Sequence, residues 1–167
     1  MKKKPLPFLT SPKVVSPVRL ATFARQLRKR GKRMVFTNGC FDILHVGHVC
    51  YLEEARQLGD YLVVALNSDA SVRKLKGPTR PVNNQMARAR VLAGLSCVDF
   101  VTVFGSKRIN PLYARLRPEI YVKGGDYTVE SLDRAERRII QSIGSKIKIL
   151  PVYQGYSTTR LIKKIRT

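Results

Sequence analysis

The chain lacks the cysteine pairs, long apolar runs and leader pattern that mark several classes of protein. Its three cysteines are an odd number without a CxxC pair, which argues against a disulfide framework and favours a reducing compartment. Apolar runs such as residues 61–66 stop far short of the roughly 20 residues of a membrane span. Lys2, Lys3 and Lys4 lead into prolines rather than into an apolar helix, so no secretory signal is predicted. We expect a cytoplasmic protein with no membrane partner.

Acidic residues are also scarce. The 167 residues include 11 Asp and Glu against 32 Lys and Arg, which gives a net charge of +21. Residues 1–33 contain no acidic side chain at all. Such a charge attracts polyanions, so a basic nucleic-acid-binding protein is one alternative function. The balanced middle of the chain, and end charges that fall on the outer faces of predicted helices, favour a solvated surface instead.

A hydrophobic fraction of 44% in a chain of this length is typical of one globular domain. The Lys- and Pro-rich residues 1–15 predict a flexible basic tail, and residues 16–167 a single domain. Ser16 before Pro17 is a helix-start signal, and Gly31 ends that helix. The other predicted elements are strands at 34–37, 61–66, 100–104, 120–123 and 147–150, and helices at 48–58, 84–95, 111–116, 131–143 and 157–166.

This alternation of strands and helices predicts an α/β fold: a doubly wound, Rossmann-like, parallel five-stranded sheet. Folds of this class bind ligands at the carboxyl ends of the strands, near the point where the strand order reverses. Candidate functional residues are therefore expected directly after the strands.

The most informative segment follows the first strand and opens a helix: TNGCFDILHVGH, residues 37–48. Backbone amides at a helix start suit a phosphate, and His45 and His48, three residues apart with Gly47 between them, can both face it. Zinc held by Cys40, His45, His48 and Cys50 is the competing interpretation. The spacing argues against zinc, because paired CxxC or HxxxH ligands are missing and a helix directs Cys50 away from His48.

Five segments carry a resemblance to a known family. They are TNGCFDILHVGH (37–48), ALNSDASVRKLKGPTRPVN (65–83), CVDFVTVF (97–104), RPEIYVKGGDY (117–127) and GYSTTRLIKKI (155–165). The HxGH and Ser-Thr-Thr elements resemble the cytidylyltransferase-like nucleotidyltransferases. The LKGxxRPVN and VKGGDY segments are more closely similar to the heptose 1-phosphate adenylyltransferases, which occur alone or as the C-terminal domain of a bifunctional kinase–adenylyltransferase.

The resemblance implies transfer of AMP from ATP to D-glycero-β-D-manno-heptose 1-phosphate, giving ADP-heptose, a lipopolysaccharide precursor. It also implies Mg²⁺ bound through the ATP phosphates, with protein ligands unknown, and a homodimer. A cytidylyltransferase acting on glycerol 3-phosphate or a similar phosphate is the alternative enzyme. Relatives that use CTP often carry an arginine where this chain has Val152, which favours ATP.

The resemblance implies a site built from four of these segments, 37–48, 65–83, 117–127 and 155–165, together with Arg88. The catalytic residues are expected to be His45, His48, Lys76 and Arg88. Nucleotide binding is predicted for Thr37, Asn38, Gly39, Cys40, Phe41, Asp42, Gly47, Lys74, Lys123, Gly124, Asp126, Tyr127, Ser157, Thr158 and Thr159, and substrate binding for Asn67, Asp69 and Arg80. Lys74 and Lys76 are placed in a loop after the second strand, and the two glycines after Lys123 are expected to let the backbone approach a ligand.

Two segments depart from the family pattern. After Phe104 the family usually has an acidic stretch and a Thr-Pro pair, where this chain has GSKRI at 105–109. Met86 and Ala87 stand where the family frequently has an acidic residue. The departure at 105–109 affects the expected sugar site or a partner surface, but not the nucleotidyl transfer.

Overall fold

The computed structural model describes residues 11–106, 109–125, 127–151, 153 and 155–166. Its strands are β1 (Met34–Gly39), β2 (Tyr61–Asn67), β3 (Phe100–Phe104), β4 (Ile120–Gly124) and β5 (Lys146–Leu150). Its helices are α1 (Pro17–Lys29), α2 (Val46–Gln57), α3 (Asp69–Lys76), α4 (Gln85–Ala93), α5 (Asn110–Leu116), α6 (Arg134–Ile143) and α7 (Thr158–Arg166). Within the described residues, no helix is long and apolar enough to cross a membrane.

The five strands form one parallel sheet in the order β3-β2-β1-β4-β5. This confirms the predicted doubly wound α/β fold. The order reverses at β1, because the chain proceeds from β1 to β2 and β3 on one side and returns to β4 and β5 on the other. That reversal opens a crevice between the carboxyl ends of β1 and β4.

Each face of the sheet is covered by helices. One core joins Leu20 of α1, Tyr113 of α5 and Ile140 of α6 to the sheet, and the other joins Leu52 of α2 and Leu92 of α4. Strand β2 is buried on both faces from Leu62 onward, which is why its sequence reads as a continuous apolar run. The sheet is therefore a rigid platform for the residues that follow its strands.

The structure corrects several predicted boundaries. Residues 11–15, assigned to the flexible tail, pack on β3: Val15 N donates to Val101 O at 2.9 Å, and Val15 is buried. That part of the tail prediction is wrong, and residues 1–10 lie outside the described residues. The helix predicted from residue 131 begins at Arg134, because the Asp133 carboxylate caps the amides of Ala135 and Glu136.

Helix α3 was not predicted. Its eight residues begin after Ser68, whose hydroxyl accepts from Ser71 N at 3.2 Å, and they include Lys74 and Lys76. The predicted loop after β2 is therefore a short helix, and Lys76 stands in its last turn.

Candidate active site

A large cavity of about 910 Å³ lies at the carboxyl edge of the sheet. The ends of β1 and β4, the first turns of α2 and α7, and the segment between α3 and α4 surround it. Small-molecule sites usually have volumes of about 300–1,000 Å³, so the volume of this cavity is that of a ligand-binding site. The cavity lies where the strand order predicts a binding site.

Two stacked histidines stand at the start of α2. His45 is the N-cap residue, and its ring centroid lies 3.8 Å from that of His48, with 20° between the ring planes. The Nδ1 atoms of both rings are buried and have no hydrogen-bond partner. These two nitrogens are enclosed by protein, and it is because both rings line the cavity that the histidines can contact a ligand there.

Both imidazoles are neutral at pH 7. Burial, and then the neighbouring charge of His45, lowers the pKa of His48 to about 4, and burial also lowers the pKa of His45. A neutral imidazole still donates one N–H to an anion. The negative charge of a bound phosphate would favour the imidazolium and raise both pKa values again.

Gly47 lets the two rings approach the start of the helix. A Cβ atom at Gly47 would lie 3.2 Å from Nδ1 of His45 and 3.3 Å from Cβ of Tyr156. Any larger residue would push His45 or the segment before α7 out of place. The glycine of the HxGH motif is therefore explained by packing between the histidines and α7.

The first turn of α7 faces the same cavity. Ser157 Oγ accepts from Arg160 N at 3.1 Å, and Thr158 Oγ1 donates to Ile43 O at 3.1 Å. The first bond caps α7, and the second joins its start to the turn before α2. The positive dipole ends of two helices thus border the same cavity, an arrangement that suits an anion.

Strand β4 contributes a buried cation. Nζ of Lys123 donates to Asn38 Oδ1 at 3.2 Å, and the hydroxyl of Tyr121 donates to the same oxygen at 2.9 Å. Nζ also lies 5.1 Å from the centroid of the Tyr127 ring, within cation–π range. Burial lowers the pKa of the Lys123 ammonium. The end of β4 therefore holds a fixed positive charge beside an aromatic ring.

Most of the predicted site residues line this cavity. They are Asn38, Gly39, Cys40, Phe41, Asp42, His45, Gly47, His48, Asn67, Lys76, Arg80, Lys123, Gly124, Tyr127, Ser157, Thr158 and Thr159. Asp126 lies outside the described residues.

Four predicted residues are placed elsewhere. Arg88 is 2% exposed and does not line the cavity; its guanidinium donates to three main-chain carbonyls and pairs with Asp69 Oδ1 at 2.7 Å. Thr37 is buried, with its hydroxyl 2.6 Å from that of Tyr51, and Lys74 is exposed on α3. None of these four residues lines the cavity.

The absence of a side chain at Gly124 has a structural reason that the sequence did not show. A Cβ atom there would lie 2.7 Å from Cε2 of Tyr51, so the glycine accommodates the Tyr51 ring. The Tyr51 hydroxyl also donates to Val122 O at 3.2 Å. The structure thus shows a close approach of the Gly124 backbone to an aromatic side chain, and its predicted approach to a ligand stays a prediction.

Sequence reasoning missed several lining residues. They are Tyr51, Leu75, Thr79, Val82, Phe104, Ile109, Leu132, Asp133, Glu136, Pro151, Tyr153, Tyr156 and Ile162, with Gly125. Tyr153 donates to Glu54 of α2, and this bond raises its pKa to about 12. Position after a strand could have indicated Phe104, Pro151 and Tyr153, because these residues end β3 or follow β5.

The structure also bears on the zinc interpretation of Cys40, His45, His48 and Cys50. Among the residues that the structure describes, no group of three or more His, Cys, Asp or Glu side chains is arranged to hold a metal ion. Cys40 lines the cavity, but burial raises the pKa of its thiol, which disfavours the thiolate that zinc requires.

The cavity, its two helix starts and its paired histidines are those of a nucleotidyltransferase. A model of the cytidylyltransferase-like family matches residues 36–164. The chain therefore belongs to the cytidylyltransferase-like family, as the sequence motifs predicted.

Individual relatives agree with this membership. The chain is 52% identical over 138 residues to the bifunctional protein HldE of Syntrophotalea carbinolica, covering 83% of this chain and 28% of that protein. It is 51% identical over 148 residues to the bifunctional protein HldE of Geotalea uraniireducens, covering 89% and 30%. The chain thus spans less than a third of the length of these relatives.

Solved structures are similar as well. The lipopolysaccharide core biosynthesis protein from Thermoplasma volcanium is 30% identical with a TM-score of 0.61, covering 76% of this chain and all of that one. Pantoate-beta-alanine ligase from Francisella tularensis, complexed with beta-gamma ATP and beta-alanine, has a TM-score of 0.62 at 15% identity, covering 84% and 67%. The second likeness shows the fold alone.

Proposed function

We propose that this protein transfers AMP from ATP to D-glycero-β-D-manno-heptose 1-phosphate, giving ADP-heptose and pyrophosphate. The observation that carries the proposal is the pair of stacked histidines that line the cavity at the start of α2, together with the start of α7 in the same cavity wall. The half-identical HldE proteins and the similar lipopolysaccharide core biosynthesis protein support the sugar and its use in lipopolysaccharide precursor synthesis.

The reaction needs positioning and charge stabilisation rather than a covalent residue. An oxygen of the sugar phosphate attacks the α-phosphorus of ATP, a P–O bond forms, and the bond to the bridging oxygen breaks to release pyrophosphate. Negative charge grows on the leaving group and on the α-phosphate oxygens. His45 and His48 would donate hydrogen bonds to these oxygens, and Lys76 at the rim of the cavity would supply positive charge.

Magnesium fits this arrangement as an ion carried by the nucleotide. Mg²⁺ usually keeps several waters and binds through substrate phosphates with one or two carboxylates. The only carboxylates lining the described cavity are Asp42, Asp133 and Glu136, which do not form a dedicated metal cage. Bound to the triphosphate, Mg²⁺ would neutralise charge on the pyrophosphate leaving group.

A cytoplasmic location and a homodimer belong to the same proposal. Three free cysteines fit a reducing compartment. Both substrates would be small and highly charged, which suits a soluble biosynthetic step.

Pyrophosphate release in the presence of Mg²⁺ tests the proposal. ATP and CTP are each supplied with heptose 1-phosphate, glycerol 3-phosphate and other sugar 1-phosphates. Turnover with ATP and the heptose alone is expected. Turnover only with CTP or with another acceptor would refute the proposed substrates. No turnover with any pair would refute the proposal that the protein is a nucleotidyltransferase. In that last case, duplex DNA binding with a steep salt dependence would favour the basic nucleic-acid-binding alternative.

A further inference from the structure

The segment between α3 and α4, residues 77–84, forms one side of the cavity and is called the strap here. Thr79, Arg80 and Val82 of the strap line the cavity directly. Lys76, the last residue of α3, directly precedes the strap and also lines the cavity. The position of the strap therefore determines where two of the cationic side chains stand.

A buried carboxylate holds the strap from below. The side chain of Asp42 is 1% exposed, and its oxygens accept from Val82 N at 2.8 and 3.0 Å and from Asn83 N at 3.1 Å. Oδ2 also lies 2.6 Å from Nε of Arg80. The Asn83 side chain returns a bond to Asp42 O at 3.1 Å. One residue of the turn after β1 thus contacts three residues of the strap: Arg80, Val82 and Asn83.

Arg88 fixes the same segment from the other side. Its Nε donates to Asn83 O at 2.9 Å, and its terminal amino groups donate to Cys40 O and to Asn67 O. These carbonyls belong to the strap and to the chain at the ends of β1 and β2. Arg88 therefore joins the strap to the platform that carries the histidines.

This arrangement orients Arg80. The Asp42 carboxylate forms an ion pair with the guanidinium, 2.6 Å from Nε, although that Nε has no hydrogen-bond partner. Arg80 stays at the cavity wall with 17% of its side chain exposed. The ion pair with Asp42 already restricts the Arg80 side chain in the free protein. Less rotamer freedom is therefore lost when Arg80 binds an anion.

We propose that Asp42 and Arg88 are positioning residues that latch the strap, and that the latched strap presents Arg80 to a phosphate of the substrates. This rests on the proposed function, because it assigns Arg80 to the phosphates of ATP or of the sugar 1-phosphate. In this proposal Asp42 and Arg88 act through the strap.

Asp42→Asn tests the latch, because asparagine has nearly the same shape but no charge and only one acceptor oxygen. The first readout is hydrogen exchange of the Val82 and Asn83 amides in the free protein. We expect exchange at these two amides to rise about tenfold or more, while the amides of β2 stay protected. This readout needs neither substrate nor activity.

The second readout is steady-state kinetics with KM determined separately for ATP and for heptose 1-phosphate. Asp42→Asn and Arg80→Gln should each raise the KM of the same substrate about tenfold. The double variant should raise it no further than Arg80→Gln alone, since both changes remove one interaction. The substrate whose KM rises identifies the phosphate that Arg80 binds.

Glu119→Gln is the matched control. Glu119 also accepts a backbone amide, Met34 N at 2.8 Å, and pairs with Arg28, but it stands at the opposite edge of the sheet. It should change neither the exchange of the strap amides nor either KM.

Unchanged exchange at Val82 and Asn83 in Asp42→Asn would overturn the latch. Faster exchange with both KM values unchanged, or additive effects in the double variant, would overturn the link to Arg80. If the wild-type protein shows no turnover, the Kd of inorganic pyrophosphate replaces KM in the same comparison. Failure of the proposed function is thereby separated from failure of the latch.

Discussion

The buried histidine His48 predicts a specific dependence of stability on pH. Burial lowers its pKa from 6.5 to about 4 in the folded protein, so between these values the unfolded chain binds more protons than the folded one. Folding stability should therefore rise with pH from about 4 to 6.5 and fall as acid is added. His48→Asn removes the titrating ring and with it this component of the pH dependence.

The magnitude follows from the two pKa values. Full expression of this shift would make the folded protein about 2 kcal/mol less stable at pH 5 than at pH 7. Because His48 is only half-buried, solvent screening reduces the expected difference to about 1 kcal/mol.

Urea unfolding of the wild type and of His48→Asn at pH 7 and pH 5 measures the effect. The quantity compared is the difference in unfolding free energy between the two proteins, which cancels the other titrating groups. We expect this difference to change by about 1 kcal/mol between the two pH values. On going from pH 7 to pH 5, the wild type should lose about 1 kcal/mol more unfolding free energy than His48→Asn. An equal difference at both pH values would refute a lowered pKa for His48.

Two further predictions concern the motif and the end of β4. His48→Ala should lower pyrophosphate release by about 100-fold or more while the circular dichroism spectrum is retained, because a donor to the developing charge is lost; near-normal turnover would contradict its role. Gly124→Ala should destabilise the protein by about 1–3 kcal/mol, because its Cβ would lie 2.7 Å from the Tyr51 ring. Gly31→Ala, where no atom lies within 4 Å but φ is +66°, is the comparison for backbone strain without a clash, and an equal loss in urea unfolding would show that the clash is not the cause.

Strong periodicity made most of the fold predictable. The apolar run at 61–66 is strand β2 almost residue for residue, because a strand buried on both faces contains only apolar side chains over that length. Helix α3 was missed because only Ser71 and Val72 of its eight residues are buried, too few to give a helical period. Residues 11–15 were missed because their composition resembles a tail, although Val14 bridges to Val101 at the edge of the sheet.

The site was predictable as a location. His45, Gly47 and His48 are neighbours in the chain, and the carboxyl ends of parallel strands bring Asn38, Asn67 and Lys123 to the same edge. Residues from α6 and from the segment before α7 could not be found in this way, because no local pattern shows which surface a helix turns toward the cavity.

The sequence by itself determined the order of the elements, the doubly wound sheet and the motif at the start of α2. Only the tertiary structure decided what Asp42 and Arg88 do. The sequence predicted both as site residues, Asp42 within the motif and Arg88 on α4. Their partners lie 40 and 48 residues away in the chain, at Val82 and Cys40. A buried charge must be satisfied by whatever donors and acceptors the fold places around it, and that set is a property of the packed chain.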